Sequence, residues 1–289
     1  MLHFIYNPIA GGGRSRAARQ SMEPILRDIP HAFHETRFPA QAKSIARQLT
    51  EDVQGDANII AMGGDGTLHE VLNGLTDPAR VRLGLIPCGS GNDFAAAAKL
   101  PGDPVEVLKL ILSGATKLTD YMVCSGVRGI NAIGAGIDVE ILRRYARMKL
   151  LRGSAAYLSS LILTVIHFEP CRFSAILGNA ARPCQALIAC AANGRTFGGG
   201  IPIAPKAEID DGLLDVVIID GIKKAAIPHA FLMLMRRKVL DLKATLFTRQ
   251  SELTVRADMP MPVQIDGEIY EDLPFDVRLV HGELRFFRP

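Results

Sequence analysis

The stretch ANIIAM at residues 57–62, followed directly by GGDGT at 63–67, decides the fold. A short apolar run of this kind is typical of a parallel strand that is buried on both faces of a sheet. The glycine-rich segment ends the strand, and residues 67–73 are predicted to form a helix. In a parallel sheet, the loop between such a strand and helix lies at the carboxyl edge, where ligands bind.

Two more strand and loop units of this kind occur in the first 118 residues. LHFIYN at 2–7 precedes the loop NPIAGGG at 7–13, and LGLIP at 83–87 precedes the loop CGSGND at 88–93. The sequence also predicts a strand around His34 and helices at 15–28, with an interruption near Pro24, at 40–51 and at 92–99. This alternation predicts an α/β domain with a Rossmann-like parallel sheet over residues 1–118.

From residue 119 onward, the apolar runs come as closely spaced strand candidates. They lie at 129–133, 172–177, 185–192, 213–219, 252–257, 263–266 and 277–280, the last turning at His281-Gly282 into a hairpin partner at 284–287. Helices are predicted at 139–151, 155–168 and 224–239. Many strands with few crossovers predict a β-rich, sandwich-like domain over residues 119–289. Because no flexible linker is evident, we expect the two domains to pack closely and to form a cleft that holds the active site.

The composition excludes several classes of protein. With 48% hydrophobic residues the chain of 289 has enough apolar surface for real cores, and 33 basic against 30 acidic residues argue against a nucleic-acid binder. The five cysteines have neither CxxC nor zinc-like spacing, which predicts buried thiols in a reducing compartment. Neither a signal peptide nor an apolar run of the ~20 residues needed to span a bilayer is evident. We therefore expect a cytoplasmic globular protein.

The three glycine-rich loops together predict a phosphate-binding site. Glycine lets backbone amides approach a ligand closely, and the amino termini of the following helices favour anions. The loops match neither the GxGxxG pattern of dinucleotide-binding proteins nor the GxxxxGK[ST] pattern of P-loop proteins. Asp65 stands inside the second loop. A carboxylate there is unusual beside phosphates unless Mg²⁺ or its water shell lies between them, as in kinases. Arg14 follows the first loop and is either a phosphate ligand or a surface residue.

Several motifs carry a resemblance to a known family. GGDGTLHEVLNG at 63–74 resembles the nucleotide-binding signature of the diacylglycerol kinase catalytic-domain family, which includes bacterial lipid kinases and sphingosine kinases. NP at 7–8 with GG at 11–12, and PxGxGNDFA at 87–95, are similar to the motifs that flank it. The later matches are NAIGAGID at 131–138, PKAEIDDGLLDV at 205–216 and QIDGE at 264–268. The resemblance therefore spans nearly the whole chain, in the same order.

The resemblance implies transfer of the γ-phosphate of ATP to a lipid hydroxyl, with diacylglycerol as the expected acceptor and phosphatidic acid as the product. The residues that it places at the nucleotide are Asn7, Gly64, Asp65, Gly66, Thr67, Gly89, Ser90, Gly91 and Asn92. It implies that Asp65, Asp93 and Asp120 organise the catalytic Mg²⁺ through water. It also implies a structural Mg²⁺ at Asp211 and the Leu214 carbonyl. Asp266 would be the general base, with Glu268 beside it, and Asp65 completes the catalytic set.

Several alternatives stay open. Asp266-Gly267 is also typical of a plain hairpin turn, and Asp210-Asp211-Gly212 of a solvated acidic turn. The acceptor could instead be a sphingoid base, phosphatidylglycerol or a dinucleotide, although the apolar segment 155–168 favours a lipid groove. The chain could also be a non-catalytic nucleotide-binding regulator, against which the complete set of acidic residues speaks. A homodimer is neither indicated nor excluded.

Two basic stretches could bring the protein to a membrane surface. Residues 143–152 and 232–238 interleave basic with apolar side chains and contain no acid, a pattern that suits anionic lipid headgroups. The same stretches could be ordinary solvated helix faces or, for the methionines, part of a core. Because a lipid kinase must reach its substrate, we expect transient association with a membrane.

Overall fold

The computed structural model describes residues 1–52, 55–147, 164, 168–178, 180–257 and 261–289. The helix expected at 155–168 lies largely outside these residues. The chain divides into two compact units. Unit 1 consists of residues 1–121, 209–211 and 280–289, and unit 2 of residues 122–208 and 212–279. Unit 1 therefore contains the three glycine-rich loops.

Unit 1 is built on a parallel sheet. Its strands are β1 (Leu2–Tyr6), β2 (His31–Glu35), β3 (Ala57–Gly63) and β4 (Val81–Pro87), in the order β4-β3-β1-β2. β3 is buried along almost its whole length, as its apolar sequence predicts for a central parallel strand. Since the strands are parallel, the loops that follow β1, β3 and β4 all leave the same edge of the sheet.

Five helices accompany this sheet. They are α1 (Arg14–Leu26), α2 (Gln41–Asp52), α3 (Asp65–Gly74), α4 (Asp93–Ala97) and α5 (Pro104–Leu112). The expected interruption of the first helix is wrong, because α1 includes Pro24 and continues to Leu26. The sequence did not predict α5, although Asp103 caps it by accepting hydrogen bonds from the backbone amides of Val105 and Glu106 at 2.7 and 3.3 Å.

Unit 2 is dominated by antiparallel strands. They are β6 (Val127–Gly129), β7 (Ala132–Gly136), β8 (Cys171–Leu177), β9 (Ala180–Ala192), β10 (Leu214–Asp220), β11 (Thr245–Gln250), β12 (Glu252–Arg256), β13 (Val263–Ile265) and β14 (Glu268–Tyr270). The long strand β9 pairs with β7, β8 and β10. The last three residues of β5 (Thr116–Cys124) belong to this unit and pair with β6. The antiparallel, sandwich-like arrangement that the sequence predicts is confirmed.

Two helices whose bounds lie within the described residues of unit 2 cover the strands. They are α6 (Ile137–Arg147), which follows β7 directly, and α7 (Ile227–Met235). α6 and α7 pack their apolar faces, through Ile141 and Ile227, into a core that Ile188 of β9 and Val217 of β10 share. All five cysteines are unbonded, and four are buried. Cys171 is only half-buried, so the expectation of buried thiols holds for four of the five.

Two strand predictions are wrong, each for a long-range reason. The expected hairpin at His281-Gly282 is one continuous strand, β15 (Asp276–Phe287). Gly282 adopts a φ of 70° within it, and its amide donates to the Asp120 carboxylate at 3.2 Å, so the chain bends there instead of reversing. The strand expected at 129–133 is broken into β6 and β7, because the backbone amides of Ile130, Asn131 and Ala132 donate to the Asp266 carboxylate.

Candidate functional site

The three glycine-rich loops of unit 1 touch one another through their main chains. The amide of Cys88 in the third loop donates to the carbonyl of Gly63 in the second at 2.7 Å. A Cβ on Gly89 would lie 2.5 Å from the Cα of Gly64, and a Cβ on Gly11 would lie 1.9 Å from the carbonyl oxygen of Cys88. Backbone this close leaves no room for side chains, so glycine is required at the points of contact.

Arg14, at the start of α1, joins the first loop to the third. Its Nη2 donates to the carbonyl of Gly89 at 2.6 Å and its Nε to the carbonyl of Gly11 at 3.1 Å. The sequence left Arg14 undecided between phosphate ligand and surface residue, and the structure shows it holding the loops together. Its charge lies next to the buried Cys88, whose pKa burial raises to about 11 while Arg14 acts in the opposite direction. The Cys88 thiol is therefore neutral near pH 7.

Asp65, the first residue of α3, joins the second loop to the third. Its two carboxylate oxygens accept hydrogen bonds from the backbone amides of Asp93 and Phe94, each at 3.2 Å. These amides begin α4, so Asp65 caps a helix that it does not belong to and places its charge at the positive end of that helix. The carboxylate is thereby held in one orientation at the point where the loops meet.

Asn92 directs its side chain back into the third loop. It adopts a left-handed conformation with φ 57°, and its Nδ2 donates to the carbonyl of Gly89 at 2.9 Å. Its Oδ1 is buried and has no hydrogen-bond partner among the residues that the structure describes. A buried acceptor without a partner is uncommon in a folded protein. Asn92 Oδ1 is thus free to accept a hydrogen bond from a ligand or from a bound water.

The other residues expected at the nucleotide also lie in these loops. Asn7 ends the first strand, its Oδ1 accepts from the Ile9 amide at 3.2 Å, and its carbonyl accepts from the Ser15 hydroxyl. Ser90 and Gly91 are exposed at the tip of the third loop. In the second loop Gly64 and Gly66 are half-buried, whereas Thr67 is buried. The structure therefore brings the residues of the predicted phosphate site together at one edge of the unit 1 sheet.

Asp120, the third carboxylate expected at the catalytic Mg²⁺, is buried in β5. Its Oδ1 lies 2.8 Å from His281 Nδ1 and accepts from the Gly282 amide at 3.2 Å. Within the described parts of the chain, no three His, Cys, Asp or Glu side chains converge as direct ligands of one metal ion.

Asp266 and Glu268 lie at the hairpin between β13 and β14 in unit 2. Asp266 and Gly267 have φ values of 50° and 92°, which confirms the two-residue turn given as the alternative interpretation. One Asp266 oxygen accepts from the Ile130 amide at 2.8 Å, and the other accepts from the amides that follow it, at 2.9 and 3.1 Å. Glu268 is exposed. Asp266 therefore fixes the start of β7.

The acidic turn at 210–212 carries a link to the buried Arg288 that the sequence did not predict. Asp210 accepts from Arg288 Nη2 at 2.6 Å, and Arg288 also donates to the Thr119 hydroxyl and the Leu118 carbonyl, each at 3.0 Å. Asp211 is half-buried and Leu214 is buried at the start of β10. No sequence pattern near Arg288 indicates this pairing, because its partners lie far away along the chain.

Unit 2 also contains a small apolar cavity of about 50 Å³. Side chains of α6, β9, β10 and α7 line it, among them Ile141, Leu187, Ile219, Ala230 and Phe231. One titratable residue, Asp138, belongs to its wall. Asp138 belongs to the motif at 131–138, and no role for it was predicted from the sequence.

Comparison with known proteins assigns the chain to a family. Residues 1–124 match the family model described as "Diacylglycerol kinase catalytic domain", and residues 131–288 match "YegS C-terminal NAD kinase beta sandwich-like domain". A relative from Cronobacter sakazakii (strain ATCC BAA-894), described as "Probable lipid kinase YegS-like", is 34% identical over 203 residues, which cover 68% of each chain. A relative of the same description from Chromohalobacter salexigens is 34% identical over 179 residues, which cover 61% of this chain and 57% of the relative.

More distant similarity extends over nearly the full length. A "Diacylglycerol kinase" from Staphylococcus haemolyticus is 25% identical over 275 residues, covering 93% of this chain and 82% of the relative. A crystal structure of a diacylglycerol kinase from Bacillus anthracis str. Sterne has a TM-score of 0.76 at 22% identity, covering 100% of this chain and 96% of the other. A second structure from that organism reaches a TM-score of 0.82 at 24% identity. These structures confirm the predicted fold class.

No helix within the described residues is both long and apolar enough to cross a membrane. Both halves of the chain match the same group of proteins, in the same order and with the same fold. The protein therefore belongs to the diacylglycerol kinase and YegS-like family of lipid kinases, which transfer a phosphoryl group to an alcohol.

Proposed function

We propose that this protein transfers the γ-phosphate of ATP to the hydroxyl of diacylglycerol and forms phosphatidic acid in a reaction that requires Mg²⁺. The observation that supports this proposal most directly is the contact of three glycine-rich loops at one sheet edge, with Asp65 held between the second and the third. Amides at helix starts bind phosphate, and phosphoryl transfer depends mainly on positioning and charge stabilisation.

The nucleotide site consists of main-chain amides supplemented by a few side chains. The second and third loops offer amides to the phosphates, and Asn92 Oδ1 offers a free acceptor. Arg14 is already bonded to two carbonyls, so it contributes a positive charge and rigidity to the site. Main-chain contacts between the loops fix their backbones, so little ordering is needed when the phosphates enter.

The proposed metal is a Mg²⁺ ion that accompanies the nucleotide. When bound, it neutralises charge on the transferring phosphate. Asp65, Asp93 and Asp120 would hold its water shell, and Asp211 with the Leu214 carbonyl remains our proposal for a structural ion. The cap that Asp65 forms on α4 keeps its carboxylate from turning away. Asp65 would therefore both fix the third loop and place a negative charge next to the hydrated ion.

Asp266 is our proposal for the residue that accepts the proton of the lipid hydroxyl, with the exposed Glu268 beside it. Three backbone amides hold the Asp266 carboxylate in place and occupy most of its acceptor positions. In a loose phosphoryl-transfer transition state the hydroxyl needs orientation more than a strong base. A carboxylate that three backbone amides hold in one orientation suits that task.

The proposed acceptor is a lipid at the surface of a membrane. The inner face of α7 packs against unit 2 and lines its small apolar cavity with Ala230 and Phe231. The opposite face of α7 exposes Leu232 and Met235, with side chains that are 45% and 48% exposed, and Arg236, Arg237 and Lys238 follow directly. Apolar residues beside a basic cluster favour contact with anionic headgroups. Residues 148–152 of the other basic stretch lie outside the described residues.

The test is a transfer assay with labelled ATP, Mg²⁺ and mixed micelles that contain dioleoylglycerol, sphingosine or phosphatidylglycerol, with NAD in a parallel reaction. We expect label in phosphatidic acid, a loss of at least a hundredfold in Asp65→Asn and Asp266→Asn, and normal activity in the surface control Glu106→Gln. Label in another acceptor would refute the assignment of diacylglycerol. Nucleotide binding without any transfer would identify a regulator instead, and thermal melting of each variant separates lost chemistry from lost folding.

A further inference from the structure

Gln264, on β13, directs its side chain to the turn that carries Asp266. Its Oε1 accepts from the Gly267 amide at 3.0 Å, and Gly267 is the second residue of that two-residue turn. The strands pair Ile265 with Glu268 and leave the Gly267 amide outside the ladder. Gln264 is only 2% exposed, so a side chain from the interior of unit 2 supplies the partner of this amide.

The other end of the Gln264 side-chain amide lies beside Asp138, in the first turn of α6. A Cβ on Gly134, the β7 residue paired with Gln264, would lie 2.0 Å from Asp138 Oδ2 and 3.0 Å from Gln264 Nε2. The two side chains therefore share the space over Gly134. Asp138 is also 2% exposed, and within the described parts of the chain no hydrogen bond of ordinary geometry reaches its oxygens or Gln264 Nε2. A buried donor and a buried acceptor in one small space are each other's available partners.

The carboxyl group of Asp138 favours one orientation of the Gln264 amide group. An ionised carboxylate only accepts hydrogen bonds, so it favours Nε2 on its own side and leaves Oε1 for the Gly267 amide. The reversed amide group would set Oε1 against the carboxylate and Nε2 against the Gly267 amide, two acceptors and two donors. Burial raises the pKa of the Asp138 carboxyl to about 7, and the Gln264 side chain acts in the opposite direction, as a donor to the carboxylate does.

We propose that Gln264 is a positioning residue for the transfer step and that Asp138 keeps its amide group in the required orientation. Gln264 holds the Gly267 amide, while the Asp266 amide donates to the Ala132 carbonyl at 3.0 Å, so both residues of the turn are fixed. The inference rests on the proposed function, because Asp266 is the residue proposed to accept the proton of the lipid hydroxyl. A turn that rotates would move this carboxylate and leave the nucleotide loops of unit 1 as they are. Loss of Gln264 should therefore change kcat and not KM for ATP.

The first test removes the amide group of Gln264 at nearly constant size. In the transfer assay at pH 8, we expect Gln264→Met to lower kcat about tenfold and to leave KM for ATP within about twofold. Hydrogen exchange of the Gly267 amide, followed by NMR without nucleotide or lipid, should become about tenfold faster in this variant. Gln185→Met, the same change at an exposed glutamine of β9, is the control and should alter none of these quantities.

The second test exchanges donor and acceptor between the two side chains. Gln264→Glu keeps an acceptor for the Gly267 amide but sets two carboxylates against each other, so kcat should fall at least as far as in Gln264→Met. Adding Asp138→Asn to Gln264→Glu supplies a donor again and should bring kcat back to within about threefold of the original protein. In an Asp266→Asn background, Gln264→Met should lower the residual kcat no further, because its effect acts through that carboxylate.

Three results would overturn the inference: unchanged kcat in Gln264→Met, no recovery when Asp138→Asn is added to Gln264→Glu, or an equal loss in the Asp266→Asn background. Thermal melting shows whether each variant folds, and the recovery experiment decides if Gln264→Met does not. If the original protein transfers phosphate to no lipid, the proposed function fails. The exchange rate of the Gly267 amide then still decides whether Gln264 holds the turn.

Discussion

The buried carboxyl group of Asp138 makes the stability of the protein depend on pH in a calculable way. In the unfolded chain its pKa is near 3.8, and in the folded protein burial raises that pKa to about 7. The folded state then holds the proton more tightly than the unfolded state. The contribution of Asp138 to the unfolding free energy is therefore largest below about pH 4. It falls as the pH rises towards 7 and stays constant well above that pH.

The magnitude follows from the distance between the two pKa values. At ~1.4 kcal/mol for each pH unit, the interval corresponds to about 4 kcal/mol of lost unfolding free energy above pH 7. Asn at position 138 has nearly the same shape and does not titrate. We expect the unfolding free energy of Asp138→Asn, minus that of the original protein, to rise by about 4 kcal/mol from pH 4 to pH 8.5.

The measurement is urea unfolding of both proteins at half-unit steps from pH 4 to pH 8.5. Every other titrating group is common to the two proteins, so the subtraction removes its contribution. Glu106→Gln is the matched control, because Glu106 is exposed on α5 and its difference curve should be flat. A flat curve for Asp138→Asn as well would refute the argument, since it would mean that the folded protein does not retain the Asp138 proton.

Three further predictions concern unit 1 and the metal. Gly89→Ala should lower the affinity for ATP at least tenfold in a calorimetric titration, because the new Cβ would lie 2.5 Å from the Cα of Gly64. Gly102→Ala is the control and should bind ATP normally, since a Cβ there has no neighbour within 4 Å. Equal affinities of the two variants would contradict the importance of this contact. Arg288→Met should lower the unfolding free energy by about 2–4 kcal/mol in a denaturant titration, since it removes three hydrogen bonds from a buried guanidinium. Chelation with EDTA should abolish phosphate transfer, and added Mg²⁺ should restore it; transfer in EDTA would exclude a metal requirement.

The parts of the fold that depend on neighbouring residues could be predicted from the sequence. The apolar run of β3 and the glycine loop after it define a strand, a turn and a helix within a few residues, and the structure confirms all three. The same holds for the loops after β1 and β4, so the meeting of the three loops at one sheet edge could be predicted. α5 was missed although Asp103-Pro104 is a local helix start, which shows that this signal is easily overlooked.

The parts that depend on distant residues could not be predicted. Whether Gly282 turns the chain or bends it depends on a hydrogen bond to Asp120, 162 residues away. The strand break at Ile130 depends on Asp266, 136 residues away. The lack of a partner for Asp138 is likewise a property of the packed core. Periodicity along the chain contains no information about such pairs.

The main-chain contact between Gly64 and Gly89 has a consequence for donor choice. The proposed phosphate site consists of main-chain peptide groups. Such groups contact the triphosphate, which ATP and GTP have in common. Selectivity for one purine must then reside in side chains outside these three loops. Variants designed to change the preferred nucleotide should therefore keep the glycines and alter the side chains that contact the base.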